Sequence, residues 1–282
     1  MKDKEEKRDM VDFSVLMSVY HKEKPEYLRQ SFDSIYQQSV APTEIILVED
    51  GPLTPALYEA ISREEQRFPQ LRRVVLPTNQ GLGRALNKGL EACSYDLIAR
   101  MDTDDISTPD RFQVQLDYMQ QHPEINVLSA WITEFDHEPG NIVGIRSLPE
   151  QHDDIFLFGK RRNPVNHPVA MFRREAVIKA GGYQPCYLFE DYYLWVRMLQ
   201  SGHRFCNLQQ SLLFFRRSPE MIRRRGGLAY AYHEILFLRK LKRIGYITTY
   251  DLVRNVSQRT LVRLLPNRLR SLIYKRCLRT IP

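Results

Sequence analysis

The sequence predicts an α/β protein: a Rossmann-like, mostly parallel sheet flanked by helices, followed by a basic helical C-terminal segment. Three observations predict it. Apolar runs of strand length alternate with helical segments from Phe13 to Met101, which is the pattern of βαβ units. Acidic and polar residues stand just past the ends of those runs, at Tyr20, Asp50 and Asp102 to Asp105, where open α/β sheets place their ligand chemistry. Finally, the formal charge of +7 is divided: residues 200–282 hold 18 Lys and Arg against three acids, net +15, which leaves residues 1–199 at net −8. An acidic body with a basic end points to two different tasks.

The elements follow in order. FSVLMSVY is a strand, and YLRQSFDSIYQQ is a helix with Leu28, Phe32 and Ile35 at helical spacing. Pro42 interrupts the chain before EIILVED, a second strand ending in acids. TPALYEAISREEQRF is a helix with Thr54 at the N-cap and Pro55 in the first helical position. LRRVVLP is a third strand. NQGLGRALNKGLEAC supplies a glycine-containing loop and a helix, and DLIARMD is a fourth strand. RFQVQLDYMQQHPE is a helix stopped by Pro123. INVLSAWITEFD and NIVGIRSLP read as strands around an Asp/Glu/Pro/Gly-Asn turn. NHPVAMFRREAVIKAGGY gives a short strand, a helix and a Gly-Gly stop, and YLFEDYYLWVRMLQSG is an aromatic-rich helix ended by Gly202. The expected organisation is a charged leader at 1–11, one α/β domain at 12–217 and a basic amphipathic helical segment at 218–282.

Composition excludes several classes. With 43% hydrophobic and 27% charged residues in 282, the chain is ordinary globular protein. The leader MKDKEEKRDM has no apolar core and does not read as a signal peptide, and no run approaches the roughly 18 apolar residues of a membrane span. Cys93, Cys186, Cys206 and Cys277 are scattered, so neither a zinc knuckle nor a disulfide framework is expected, which fits a reducing cytoplasm.

The chemistry-bearing residues are few. Asp102 and Asp104 form a D-x-D at a strand exit, where residues i and i+2 share a face. Together with Asp105 they concentrate negative charge in a partly desolvated place, which requires a compensating cation. Oxygen ligands of this kind suit Mn²⁺ or Mg²⁺ shared with a diphosphate. The alternative is an acidic loop in which Thr108 or Asp110 caps the next helix without metal. In VEDG, Asp50 can accept hydrogen bonds from a base or ribose, or simply make an Asp-Gly turn. NQGLGRALNKG lacks the third glycine of a dinucleotide fingerprint, which disfavours NAD; its Arg84 can reach a phosphate or base, or sit on a helix surface. In LFEDYYLW, Glu190 and Asp191 lie among aromatics that raise proton affinity, which suits a general base; they also suit a helix N-terminus offsetting its dipole. His167 is either a phosphate or metal contact or a structural histidine.

The order of these signals carries more than any one of them. SVLMSVY, Y-L-x-x-S-x-x-S-I-x-x-Q from Tyr27 to Gln37, EIILVEDG, N-x-G-x-x-x-A-x-N-x-G from Asn79 to Gly89, DTDD, HPVAMFRR and FEDYYLW resemble family 2 glycosyltransferases over roughly residues 12–217. The resemblance implies a GT-A fold, a nucleotide-sugar donor and Mn²⁺ or Mg²⁺. It implies Tyr20 against the base, Asp50 on base or ribose, and Arg84 on base or phosphate. Asp102 approaches the ribose, Asp104 holds the metal, and Asp105 is their neighbour without an assigned share; His167 is grouped with the donor-binding residues. Asp191 matches the family's base, with Glu190 beside it. VEDGPLT departs from the more usual D-D-G-S at Glu49 and Pro52. The implied reaction is an inverting transfer of a hexose or N-acetylhexosamine, on the expectation from a UDP-sugar to a polyprenyl-diphosphate-linked saccharide for O-antigen or exopolysaccharide.

The basic end predicts where this happens. LAYAYHEILFLRKLKRIGY sets Leu228, Tyr232, Ile235, Leu238 and Leu241 along one stripe beside Arg239, Lys240, Lys242 and Arg243, and NRLRSLIYKRCLRTI repeats the theme. Basic amphipathic helices suit an anionic membrane surface, so a peripheral enzyme on the inner face of a bacterial membrane is expected. The alternative is that the stripes pack on the catalytic domain. Two rival functions are weaker. A sugar nucleotidyltransferase would carry a glycine-rich basic loop after the first strand, and VYHKEKPEY has none. A nucleic-acid binder would use the +15 segment but shows no nucleic-acid motif and leaves the aspartates unexplained.

Overall fold

The computed structural model describes residues 11–218 and 226–266. Its first half builds the expected βαβ units. Strand β1 (Phe13–Val19) is followed by α1 (Pro25–Tyr36), β2 (Glu44–Glu49), α2 (Pro55–Arg67), β3 (Leu71–Val75), α3 (Leu82–Ala92) and β4 (Leu97–Arg100). β1 and β2 are covered on both faces, and their side chains divide by alternation. Leu16, Ile46 and Val48 enter one core layer, whereas Val15, Met17, Ile45 and Leu47 enter the other. The Leu28, Phe32 and Ile35 stripe of α1 is buried as its spacing predicts. Thr54 caps α2, its side chain accepting from the Leu57 N–H at 3.3 Å. α3 lies so close to the sheet that a Cβ on Gly89 would overlap Leu16 Cδ1 and come within 2.8 Å of Val48 Cγ2.

Beyond β4 the chain forms β5 (Ile106–Ser107), α4 (Arg111–Gln121), β6 (Ile125–Asp136), β7 (Ile142–Arg146), α5 (His152–Gly159), a 3-10 turn (His167–Val169), β8 (Met171–Arg173), α6 (Arg174–Lys179), α7 (Glu190–Gln200) and β9 (Arg204–Arg217). The sheet order is β3-β2-β1-β4-β8-β6-β9-β5, with β7 on β6. β1 to β4 pair in parallel, as do β6 and β9, but β8 runs antiparallel to both β4 and β6, and β5 and β7 are antiparallel to their partners. The sheet is therefore parallel in its first half and mixed in its second. The physical reason is connection length: helical crossovers enforce parallel pairing, whereas the tight 136–141 turn makes a hairpin. Asp110 occupies the N-cap of α4 but makes no side-chain capping bond, so the capping alternative for the acidic loop is not realised there.

Three elements are unmarked in the sequence. β5 has only two residues, and α5 in QHDDIFLFGK shows no clear stripe. β9 is long, but Gln209 and Gln210 interrupt it and its register against β6 shifts repeatedly. The segment expected to be helical holds two helices among the described residues. α8 (Leu228–Arg243) and α9 (Thr249–Leu264) form a helical hairpin, with α9 started by a capping box between Thr248 and Asp251.

The predicted stripe on α8 is corrected. Leu238 and Leu241 are buried, but Leu228 and Tyr232 are exposed. The buried face is Tyr230, Glu234, Phe237, Leu238 and Leu241, and the Phe237 ring stacks on Phe189 with centroids 4.6 Å apart. Aromatic complementarity with α7 thus sets the rotation of α8. The second basic stretch, from Asn267 onward, lies outside the described residues. Among the described residues no helix is long and apolar enough to cross a membrane.

Candidate active site

The exit of β2 holds the first part of the site. Glu49 is fully buried and ion-paired with Arg73 of β3. The next residue, Asp50, is also buried, and its two carboxylate oxygens accept from the Gln80 and Gly81 N–H groups at 2.6 and 3.0 Å. That places its charge at the N-terminus of α3, where the dipole favours an anion. Gly51 makes the approach feasible: its φ is +85°, and a Cβ there would lie 2.5 Å from the Asn79 nitrogen. Asn79 closes the contact from the other side, its Nδ2 donating to the Asp50 carbonyl at 3.1 Å. Tyr20 stands half-exposed past β1, and Arg84 is exposed on the first turn of α3.

The aspartate turn follows β4, beside the exit of β1. Asp102, Asp104 and Asp105 each offer a carboxylate oxygen, and these oxygens lie within 4.8 Å of one another. Burial pushes the Asp104 carboxyl up to about 7, and the Asp102 and Glu23 charges push the same way. Asp105 is fully buried and is held well above the usual carboxylate range, by burial first and then by Asp104 and Asp102. Its Oδ1 accepts from the Arg216 N–H at 2.9 Å, while Oδ2 is buried without a hydrogen-bond partner among the described residues. An all-oxygen donor set with an orphaned buried oxygen and raised proton affinities fits a hard divalent cation.

Charged residues unmarked by the sequence support this turn. Arg100, fully buried, ion-pairs Asp102 and donates to the Leu16 carbonyl at 3.3 Å. Arg111 donates to the Arg100 carbonyl at 2.6 Å; burial and then the Arg100 charge bring its pKa down to about 9. Arg216 donates through Nε to the Asp104 carbonyl and through Nη1 to the His137 carbonyl, both at 2.9 Å, and Nη2 reaches Gln30. Its guanidinium lies 3.9 Å from the Tyr27 ring centroid and 4.7 Å from that of Phe135. Glu23 is the fourth carboxylate, raised by burial, with Oε2 accepting from Thr103 Oγ1 at 2.8 Å. Strand-end arginines in FFRR and IAR carry no motif, so only the fold reveals their partners.

The acid pair opens α7. Asp191 Oδ2 accepts from Asn163 Nδ2 at 2.6 Å, which orients the carboxylate. Glu190 is raised above its ordinary value by burial and, further, by Asp191. It packs against α3, since a Cβ on Gly83 would lie 3.2 Å from Glu190 Cγ. Tyr183 links the two halves. Its backbone N–H and carbonyl bond the Asn87 side chain of α3 at 2.8 and 2.7 Å, and Asp191 and Asp102 both act electrostatically on its hydroxyl. His167 is buried, with Nε2 bonded to the Tyr183 hydroxyl at 2.8 Å and its ring near Trp195. Burial and the Arg100 charge hold it neutral, far below its ordinary pKa. These contacts put His167 in the core beside Tyr183.

Parallel strands thus deliver an acidic turn at their carboxyl ends, and the helix that opens on Asp191 presents an oriented carboxylate from the second half of the same sheet domain. Residues 14–181 match the family described as glycosyl transferase family 2. The chain belongs to that family. It is 40% identical over 271 residues, 96% of this chain and 98% of the other, to the UDP-Gal:alpha-D-GlcNAc-diphosphoundecaprenol beta-1,3-galactosyltransferase of Escherichia coli. It is also 40% identical to the amylovoran biosynthesis glycosyltransferase AmsE of Erwinia amylovora, over 94% of this chain and 98% of that one. Among solved structures, the mannosyltransferase PcManGT from Pyrobaculum calidifontis, in complex with GDP-Man and Mn²⁺, aligns with a TM-score of 0.63 at 17% identity, over 92% of this chain and 71% of that one. S. aureus TarS 1-349 with UDP-GlcNAc aligns at 0.64 and 15% identity, over 90% and 72%. The chain spans 53% of a longer TarS chain. These structural likenesses establish the fold.

Proposed function

We propose that this glycosyltransferase moves a hexose or N-acetylhexosamine from a UDP-sugar, with inversion, onto a hydroxyl of a saccharide carried on a polyprenyl diphosphate, in O-antigen or exopolysaccharide assembly. The supporting observation is the near full-length 40% identity to an enzyme named for UDP-Gal and a diphosphoundecaprenol-linked GlcNAc. The site residues are compatible with it. In this reading Tyr20 lies against the base, Asp50 meets base or ribose with the acceptor capacity left beyond its two amide bonds, and Arg84 contacts base or phosphate. Asp102 approaches the ribose. Asp102 and Asp104 would hold Mn²⁺ or Mg²⁺, with Asp105 behind them, and the cation would neutralise charge on the diphosphate as a Lewis acid.

The remaining work belongs to side chains. Asp191, oriented by Asn163, takes the proton from the acceptor hydroxyl. The acceptor oxygen attacks the anomeric carbon from the face opposite the diphosphate, and nucleoside diphosphate leaves with the bonding pair. An α-linked donor therefore gives a β-linkage. Glu190, with raised proton affinity, adjusts the field at Asp191. The basic C-terminal segment favours action at the cytoplasmic face of an anionic membrane.

The test is direct. Purified full-length protein is incubated with Mn²⁺, a panel of UDP-sugars and a GlcNAc-diphosphoryl lipid. The expected product is a disaccharide-lipid with a β-linkage, assigned by NMR coupling constants. Absence of transfer from every UDP-sugar, or an α-linked product, would refute the reading.

A further inference from the structure

α8 is apolar on two opposite faces. At about 100° per residue, the buried Tyr230, Glu234, Phe237, Leu238 and Leu241 occupy one side. Leu228, Tyr232 and Leu236 lie on the other, at 75%, 60% and 41% exposure, and Arg239 and Arg243 continue the same outward stripe. α9 repeats the arrangement. Its inward side carries Leu252, Val256 and the buried Asn255, while Tyr250, Val253, Leu261 and Leu264 are exposed. Among the described residues, seven of the seventeen exposed large apolar side chains lie on these two helices. A helix that is apolar on the side facing away from its own domain is covered by something else.

The charges select the cover. The hairpin has two acids, and both are engaged within it: Glu234 is buried between Arg259 and Arg263 at 2.8 Å, and Asp251 caps α9 and pairs with Arg254. Arg239, Lys242 and Arg243 are exposed, so the outward face is apolar and purely cationic. A twofold dimer would set that face against itself and bring like charges together. An anionic lipid surface accepts both features, with leucine and tyrosine side chains in the headgroup boundary and arginines at the phosphates.

We propose that the outward face of the α8–α9 hairpin is the surface by which the protein lies on an anionic membrane. The edge of this face adjoins the site. Tyr187, exposed at 65%, meets His233 of α8 with ring centroids 4.8 Å apart, and Leu188 beside it is exposed too. Glu190 and Asp191 follow after Phe189. Tyr187 and Leu188 therefore border the docking face at the side of α8, one step from the acid pair; that a lipid-carried acceptor enters along this border rests on the proposed role of Asp191.

The experiment uses flotation of the full chain with vesicles of phosphatidylcholine plus phosphatidylglycerol, against phosphatidylcholine alone. Wild type is expected to float with the anionic vesicles only. Arg239→Gln and Arg243→Gln each lower the partition about five-fold, and Tyr232→Ser/Leu236→Ser lowers it about ten-fold or more. Unfolding midpoints and Mn²⁺-dependent hydrolysis of UDP-galactose are followed in parallel and are expected to be unchanged, because these side chains are exposed. Variants that float as well as wild type would overturn the proposal, as would wild type that does not float or that floats equally with neutral vesicles. A concentration-dependent dimer in light scattering, abolished by Leu236→Ser without any lipid binding, would overturn it in favour of a second copy. Flotation lost with hydrolysis intact supports the face; hydrolysis absent from wild type with flotation intact counts against the proposed reaction alone.

Discussion

Asp104 shows how a residue's surroundings set its chemistry. With its carboxyl pushed up to about 7, the metal-free folded chain binds a proton there that the unfolded chain, at its ordinary value near 4, has already released. The folded state therefore holds more protons between these limits, and stability falls as pH rises from about 4 through 7. Without divalent metal, the unfolding midpoint should be lower at pH 8 than at pH 5.5 on account of this group. Mn²⁺ should raise it more at pH 8, where the carboxylate is ionised; Asp104→Asn should abolish most of that difference in a thermal-shift series. Asp191→Asn should lower kcat by at least about 10²-fold while UDP-sugar affinity, measured by calorimetry, stays close to wild type. Arg216→Ala removes the bonds that tie the Asp104 carbonyl to His137 and Gln30. It should weaken Mn²⁺ affinity in a calorimetric titration, with partial recovery in Arg216→Lys, which keeps the charge but not the fork.

Among the elements, α3 carries the most constraint. Asn79, Gly81, Asn87 and Gly89 of the N-x-G-x-x-x-A-x-N-x-G motif are each accounted for. Asn79 bonds the Asp50 carbonyl, Gly81 starts the helix at φ +86°, Asn87 clasps the Tyr183 backbone, and Gly89 lets the helix sit on Leu16 and Val48. Gly89→Ala should destabilise by about 1–3 kcal/mol, because the methyl forces strand side chains out of their rotamers; urea unfolding would measure it. These four motif residues are the joinery that fixes α3 against the strand exits, while Arg84, the one read as a ligand contact, is exposed on its first turn.

At the scale of the whole molecule, the catalytic body and the basic end share one core. Phe237 of α8 stacks on Phe189, two residues before Asp191, and Tyr246 bonds the Phe156 carbonyl of α5 at 2.7 Å. Removing everything from Leu228 onward would expose Phe189, Tyr192 and their neighbours to water. Such a truncation is expected to aggregate or to melt well below the full chain in a thermal scan, which is why point variants on the outward face are the proper probe of membrane docking. A truncation with an unchanged melting temperature would show the hairpin to be an independent appendage.

The sequence by itself determined the βαβ half, the strand-exit placement of Asp50 and the D-T-D-D turn, and the acid pair on α7. Those features are local: strand period, helix spacing, caps and turn residues are written in neighbouring positions. Tertiary structure alone decided the antiparallel insertion of β8, the pairing of β9 with β6, the arginines behind the aspartates and the rotation of α8. Each of these depends on partners far apart in the chain, as Arg216 and Asp105 are, or Phe237 and Phe189. A periodic apolar stripe fixes that a helix has a face to bury; which of two apolar faces turns inward is settled by the aromatic surface waiting for it.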